Sequence, residues 1–210
     1  MVDVIGRLRS WLGGDGPPLE AVQGRFLALD LETTGLDPRS DTVVSLAAIP
    51  FVDRVPGRGY VTLVHPARTI PPQSTAVHGI TDAMVSGAPS LDDVLRDIDA
   101  VVGDAVLVGH RVGFDVSVLS RARRARRLPR LRNHALDTSL IAAALHPEWG
   151  DFSLERIAER LGVEVLNRHT AEGDALTAGR IFIALLPALQ ARRLRTVSEV
   201  LWFQRHRLAH

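Results

Sequence analysis

Between residues 25 and 64 the apolar positions come in short runs, not at helical spacing. Phe26–Asp30 is apolar and ends on a carboxylate. Thr42–Phe51 and Tyr60–Val64 are β-branched or apolar, with the turn residues Pro56-Gly57 and Gly59 between them. These runs predict three strands. From residue 90 the pattern changes. Leu91, Val94, Leu95, Ile98, Val101 and Val102 recur at helical spacing, behind Ser90 as N-cap and two acids in the first turn. Asp104–Gly109 then predicts a buried strand. Helices follow over Phe114–Arg127, Asp137–Leu145 and Ser153–Leu161, the last capped by Ser153. Thr170 caps another that runs through Leu186, where Pro187 kinks or ends it, and a final helix covers Val197–Arg207.

Strands followed by alternating helices and strands predict an α/β fold, a mixed sheet covered by helices. Upstream, Val4–Trp11 has the spacing of one amphipathic helical segment, and Gly13–Pro18 is a Gly/Pro-rich linker. The expected division is an N-terminal extension and linker over 1–24, a core domain over 25–190 and a helical extension over 191–210.

With 210 residues, 46% of them hydrophobic, the chain can bury one sizeable core. Its apolar runs, such as Ala105–Val108 and Ile181–Leu186, are too short to span a bilayer, and Arg7-Leu8-Arg9 interrupts any signal-peptide core. The expectation is a cytoplasmic protein with no membrane partner. There is no cysteine. That excludes disulfides, thiolate metal sites and a cysteine nucleophile, so a metal would be held by Asp, Glu, His or backbone oxygen, donors that suit Mg²⁺ or Mn²⁺. The net charge of +1 carries little information, but all 25 basic residues are arginine. GC-rich codon usage is a sufficient explanation, and arginine still forks onto phosphate.

Three segments concentrate chemistry. In Asp30-Leu31-Glu32-Thr33-Thr34-Gly35, residues two apart on an extended chain point the same way, so Asp30 and Glu32 share a face. Paired carboxylates repel, and a divalent cation relieves that. Alone, the pattern reads first as a solvated strand end leading into the turn at Gly35. Val108-Gly109-His110-Arg111-Val112-Gly113-Phe114-Asp115 runs from a strand through a glycine turn into a helix that begins with an acid. Asp115 there could be a simple helix-dipole partner and His110 a structural histidine. In Arg168-His169-Thr170-Ala171-Glu172-Gly173-Asp174, a histidine precedes a helix cap and an acid follows it, a pairing suited to metal binding with proton transfer, although the segment alone reads first as a polar loop and an exposed helix start.

Together and in this order, the segments resemble the DEDD exonuclease superfamily, in the branch with a histidine five residues before the last aspartate. Within it they resemble the proofreading epsilon group of bacterial DNA polymerase III. Val77-His78-Gly79-Ile80-Thr81 and Leu136-Asp137-Thr138 match further segments of that branch. The resemblance covers residues 25–186. It implies an RNase H-like fold whose first three strands form an antiparallel meander. It also implies a 3′→5′ exonuclease acting on DNA, preferably single-stranded, and releasing nucleoside 5′-monophosphates. Asp30, Glu32, Asp115 and Asp174 would hold two Mg²⁺ or Mn²⁺ ions roughly 4 Å apart, with His169 taking a proton from the attacking water. Leu31, Thr33, Thr34, His110, Arg111 and Phe114 are the candidate substrate contacts, although Phe114 reads better as core. Arg111 stands where the family often has asparagine, which bears on substrate placement and not on the metal ligands.

Two alternatives stay open. The same catalytic set serves an RNA 3′-end exonuclease, though Thr33-Thr34 favours the proofreading group. A non-catalytic nucleic-acid-binding or polymerase-accessory module is the other, and the intact acids and His169 argue against it. A DNA polymerase or a second copy of the chain is a candidate partner for the terminal segments. Arg121, Arg123, Arg124, Arg126, Arg127, Arg130 and Arg132 form either a solvated face or a track for a phosphate backbone.

Overall fold

The computed structural model describes residues 16–206. Helix α1 (Leu19–Gly24) leads into β1 (Arg25–Thr33), β2 (Val43–Val52), the two-residue β3 (Val55–Pro56) and β4 (Tyr60–Leu63). Two short helices, α2 (Pro72–His78) and α3 (Asp82–Val85), precede α4 (Leu91–Val102). Then come β5 (Leu107–Gly109), α5 (Gly113–Ala125), β6 (Ala135–Asp137) and α6 (Thr138–Leu145). A 3₁₀ turn at Pro147–Trp149 leads to α7 (Leu154–Leu161), α8 (Ala171–Ala191) and α9 (Val197–His206).

The strands form one mixed sheet in the order β3-β2-β1-β5-β6, with β4 also paired to β2. β1 and β2 are antiparallel, in register from Arg25–Val52 to Glu32–Ser45, with a shift between Glu32 and Thr33. β4 runs antiparallel to β2, which completes the expected meander, while β5 and β6 run parallel to β1.

Alternation along β1 divides the core in two. Phe26 and Ala28 enter a cluster with α1, α6, α7, α8 and α9, whereas Leu27, Leu29 and Leu31 enter a second with α4 and α5. Phe26 stacks on Phe51 with centroids 4.7 Å apart and meets Phe182 of α8 edge-on at 5.2 Å. These contacts fix α8 against the sheet face that also carries Asp30 and Glu32. α8 is long and apolar enough to cross a membrane by length and composition. Here it is the central core helix, with Ala178, Ile181, Phe182, Leu185 and Leu189 buried against the sheet and its neighbours.

The described parts of the segments flanking 25–190, residues 16–24 and 191–206, pack into the same core. Leu19, Val22, Val197, Val200 and Phe203 are buried in the first cluster. The Leu19 N–H donates to the Arg195 carbonyl at 2.7 Å and the Val197 N–H to that of Pro17 at 2.9 Å. Val4–Trp11, the first part of the Gly13–Pro18 segment and Arg207 lie outside the described residues.

Several local expectations need correction. α8 runs on past Pro187 to Ala191. Proline removes one N–H from the helix, and the burial of Leu185, Leu186 and Leu189 holds the last turn. Ser153 sits at the N-cap of α7 but makes no side-chain capping bond, and its N–H is held by Asp151 at 2.9 Å. Asp137 ends β6 and caps α6, accepting from the N–H groups of Ser139 and Leu140. α2, α3 and β6 carry no periodicity that sequence reasoning could use. They are seven, four and three residues long.

Candidate active site

Three elements bring the acids together. Asp30 and Glu32 follow Phe26 and Ala28 on the β1 face that packs against α8. Asp174 lies in the first turn of α8, on the stripe that continues through Ala178, Ile181 and Leu185, so the burial that seats the helix also turns this carboxylate to the sheet. Ligand oxygens of Asp30, Glu32 and Asp174 lie within 4.8 Å of one another. Asp115, 4% exposed in the first turn of α5, completes the group from beyond the end of β5. β5 stops at Gly109 and pairs with β1 only as far as Ala28. That leaves the edge of β1 open, and the Asp115 carboxylate accepts the Leu31 N–H there. Gly109 is required at this step, because a Cβ on it would lie 2.6 Å from the Leu29 carbonyl oxygen.

The electrostatics call for a cation. Burial raises the Asp30 carboxyl well above its usual range, and the charges of Asp115, Asp174 and Glu32 raise it further. Burial and then Asp174 push Glu32 up to about 7. Asp115 and Asp174 are also raised, first by burial. At such separations each carboxylate pair repels by about 3 kcal/mol at an effective dielectric of about 20, more in total than one neighbouring guanidinium offsets. Asp174 Oδ1 is buried without a hydrogen-bond partner among the described residues, as an open ligand position would be. An all-oxygen set of this kind fits a hard divalent ion such as Mg²⁺ or Mn²⁺.

Asp30 and Asp174 face a cavity of about 210 Å³, shared with His110, Arg111, Ser153, Leu154 and Arg168. Small-molecule pockets run from about 300 Å³ upward. This one has room for ions and a phosphoryl group, leaving sugar and base outside. Thr138 donates its hydroxyl to the Gly109 carbonyl at 3.2 Å and lies 3.1 Å from His110 Nδ1. The Thr138 oxygen is thus left to accept from Nδ1–H, which assigns the tautomer from the network. Burial, then Arg111 and Arg168, lower the His110 pKa to about 4, so the imidazole is neutral.

Sequence reasoning missed three participants. Asp137 holds the Arg111 N–H at 3.0 Å, where the backbone of Arg111 is left-handed at φ 57°. Arg168 donates to both Asp174 and Glu155. Asp137 had a signal in its Leu-Asp-Thr segment. Glu155, thirteen positions before Arg168 on another element, had none.

The remaining candidates separate. Thr34 is 1% exposed and its hydroxyl donates to Asp41 at 2.9 Å, so it closes the loop after β1 and does not face a substrate. Thr33 is buried, its hydroxyl donating to the Gly35 carbonyl. Leu31 belongs to the second core cluster, so only its backbone reaches the acids. Phe114 packs on that cluster, as its core reading expects. Arg111 is exposed at the cavity. His169 is half-buried on the loop before α8, its backbone N–H directed at the Asp174 carboxylate. It does not line the cavity, and its ring makes no hydrogen bond among the described residues.

The arginine cluster divides as well. Arg121 bonds the Pro38 and Asp41 carbonyls, buried Arg123 pairs with Asp99, and Arg126 pairs with Asp92. Arg124, Arg127, Arg130 and Arg132 are exposed, and among the described residues their side chains have no partner.

Comparison with known proteins identifies the family. The exonuclease family model matches residues 27–182. A DNA polymerase III subunit epsilon-like protein of Rhodobacter capsulatus is 40% identical over 208 residues, covering 95% of this chain and 28% of that protein. The DNA polymerase III subunit epsilon of Aquifex aeolicus is 34% identical over 168 residues, 80% of this chain and 83% of that one. Among solved structures, exonuclease X in complex with 5′ overhanging duplex DNA superposes with a TM-score of 0.67 at 25% identity, over 86% of this chain and 98% of that one. Exonuclease I, at 23% identity and a TM-score of 0.71 over 89% of this chain and 45% of that one, shares the RNase H-like fold. The chain belongs to the exonuclease family, as a DEDD-type 3′→5′ exonuclease resembling the epsilon subunits of bacterial DNA polymerase III.

Proposed function

We propose that the chain removes nucleotides singly from the 3′ end of DNA, preferably single-stranded, releasing nucleoside 5′-monophosphates with two Mg²⁺ or Mn²⁺ ions in the site. The observation that carries this reading is the convergence of Asp30, Glu32 and Asp174 oxygens within 4.8 Å, with Asp115 beside them and Asp174 Oδ1 unpartnered. Asp30, Glu32 and Asp174 would hold one ion, and Asp30 with Asp115 a second. Bound there, divalent ions supply a lowered water pKa and neutralise charge on the phosphate. The chain's own residues do the rest. Arg111, exposed at the cavity, binds the phosphate. His169 turns in from its loop to accept the proton of the attacking water. The cavity has room for the scissile phosphoryl group beside the ions.

The DNA preference is supported by the relatives, which are named as DNA polymerase subunits, and by the exonuclease X complex. A polymerase partner fits the same relatives' names, and a cytoplasmic location goes with the proposed DNA substrate. The test is an assay on 5′-labelled single-stranded DNA and RNA with Mg²⁺, Mn²⁺ or EDTA. Stepwise shortening of the DNA that stops with EDTA is expected. Cleavage indifferent to EDTA, or shortening from the 5′ end, would overturn the reading. Faster loss of the RNA would move the substrate to RNA ends.

A further inference from the structure

The Arg168 guanidinium lies against the acid cluster, inside the cavity lined by Asp30 and Asp174. One of its nitrogens, Nη1, donates to Asp174 Oδ2, while another, Nε, donates to Glu155 Oε1. The two acids differ. Asp174 is 5% exposed and belongs to the converging set. Glu155 opens α7, is about half exposed and stands outside that set. Arg168 is thus tied at once to a carboxylate of the converging set and to one outside it.

We propose that Arg168 is a positioning residue for the exonuclease reaction: the site's built-in countercation when no divalent ion is present, handed over to Glu155 alone when ions bind. The inference rests on the metal-site reading above. An arginine cannot leave the site by losing its proton, so it yields to an incoming cation only by moving. Its side chain is about one-third exposed, which leaves it room to move. Glu155 gives it a fixed destination. Release of Asp174 Oδ2 then adds a ligand oxygen to the already unpartnered Oδ1.

The loop backbone connects this exchange to His169. Arg168 lies between Asn167 and His169, both with left-handed backbones at φ 37° and 64°, a conformation that asparagine and histidine adopt more readily than most residues other than glycine. Gly173 allows the loop to close. A Cβ there would lie 2.2 Å from the Leu166 carbonyl oxygen and 2.5 Å from that of Asn167. The Arg168–Asp174 pair adds one tie to those that Thr170 makes with Asn167 and Gly173 in holding the segment that carries His169 at the start of α8, and ion binding removes that one tie. In this way ion occupancy and the position of the proton acceptor are coupled.

The test is calorimetric titration of the full chain with Mn²⁺, without substrate, for the native protein, Arg168→Gln, Glu155→Gln and the double variant. Arg168→Gln should bind Mn²⁺ about tenfold more tightly, since the competing cation is gone. Glu155→Gln should bind it several-fold more weakly, since Arg168 has lost its destination. In the Arg168→Gln background the Glu155 change should have no effect, because Glu155 acts only through Arg168. Simple long-range charge would instead make the two changes additive. A second measurement needs no variant. In the native protein the Arg168 Nη resonances should shift on saturation with Mg²⁺, while its Nε–H, retained by Glu155, stays protected. Additive effects, unchanged or weaker Mn²⁺ binding by Arg168→Gln, or an Nη signal indifferent to Mg²⁺ would overturn the proposal while leaving the metal site standing. Failure of the native protein to bind Mn²⁺ at all would remove both.

Discussion

The Asp137 carboxylate accepts the backbone N–H of Arg111 at 3.0 Å while also capping α6 through Ser139 and Leu140. One side chain thus joins the end of β6 to the turn that carries His110 and Arg111 and leads to Asp115. The joint extends to the C-terminal helix, since Gln204 in α9 accepts the Asp137 N–H at 3.2 Å in a buried position. Asp137→Ala should lower stability by about 1–2 kcal/mol, the range for losing an N-cap, and should also slow cleavage because Arg111 loses its anchor. Urea unfolding paired with a turnover assay checks both. Lost stability with native turnover would confine Asp137 to capping.

Asp115→Asn should leave the protein folded, because an amide oxygen can still accept the Leu31 N–H. The charge toward the ions is lost. Turnover should fall by more than about 100-fold, the upper end for residues that only support metal ligands. Circular dichroism and Mg²⁺-dependent cleavage together decide it, and near-native turnover would remove Asp115 from the site.

Glu32 gives the metal-free protein a pH signature. Its pKa is raised from 4.5 to about 7, by burial first and then by Asp174. Between those values the folded state keeps a proton that the unfolded state releases, so stability falls as pH rises through this window. In EDTA, the melting temperature of the native protein should drop relative to Glu32→Gln from pH 4.5 to 7 and then keep a constant gap to it. Saturating Mg²⁺ should abolish or reverse the trend, since ions favour the charged form. Parallel curves for both proteins in EDTA would mean that Glu32 ionises normally.

His169→Ala should spare Mn²⁺ binding and slow the chemical step by on the order of 10²–10⁴-fold, the usual loss of a general base. Raising the pH should narrow the gap, because hydroxide replaces the missing acceptor. Single-turnover rates across pH with metal saturating are the measurement. A variant that fails only through lost metal affinity would identify His169 as a ligand.

Neutralising Arg124, Arg127, Arg130 and Arg132 should weaken DNA binding and flatten its salt dependence. The logarithmic slope should fall by about 0.7 for each phosphate that is no longer neutralised, the value for single strands. Arg123 is left out of this set because it is buried against Asp99 and its loss would unfold local structure. A slope unchanged in the fourfold variant would make these arginines a solvated face.

Much of the site is legible along the chain. Strand alternation places Asp30 and Glu32 together, and Thr170 does cap α8 through the Gly173 N–H. The spacing of Ala178, Ile181 and Leu185 carries Asp174 on the buried stripe. These are local properties, set by backbone periodicity and by hydrogen bonds a few residues long, so the linear order of residues determines them. What the order does not contain is which distant groups meet. Thr34 looks like a substrate contact until Asp41 is seen to consume its hydroxyl. Seven arginines look like one surface until Asp92, Asp99 and two loop carbonyls claim three of them. Arg168 and Glu155 become partners only because α7 and α8 pack side by side. Pairing of this kind depends on long-range packing, which brings charged groups into a low-dielectric space where each must find a partner, and only the folded chain decides which one it finds.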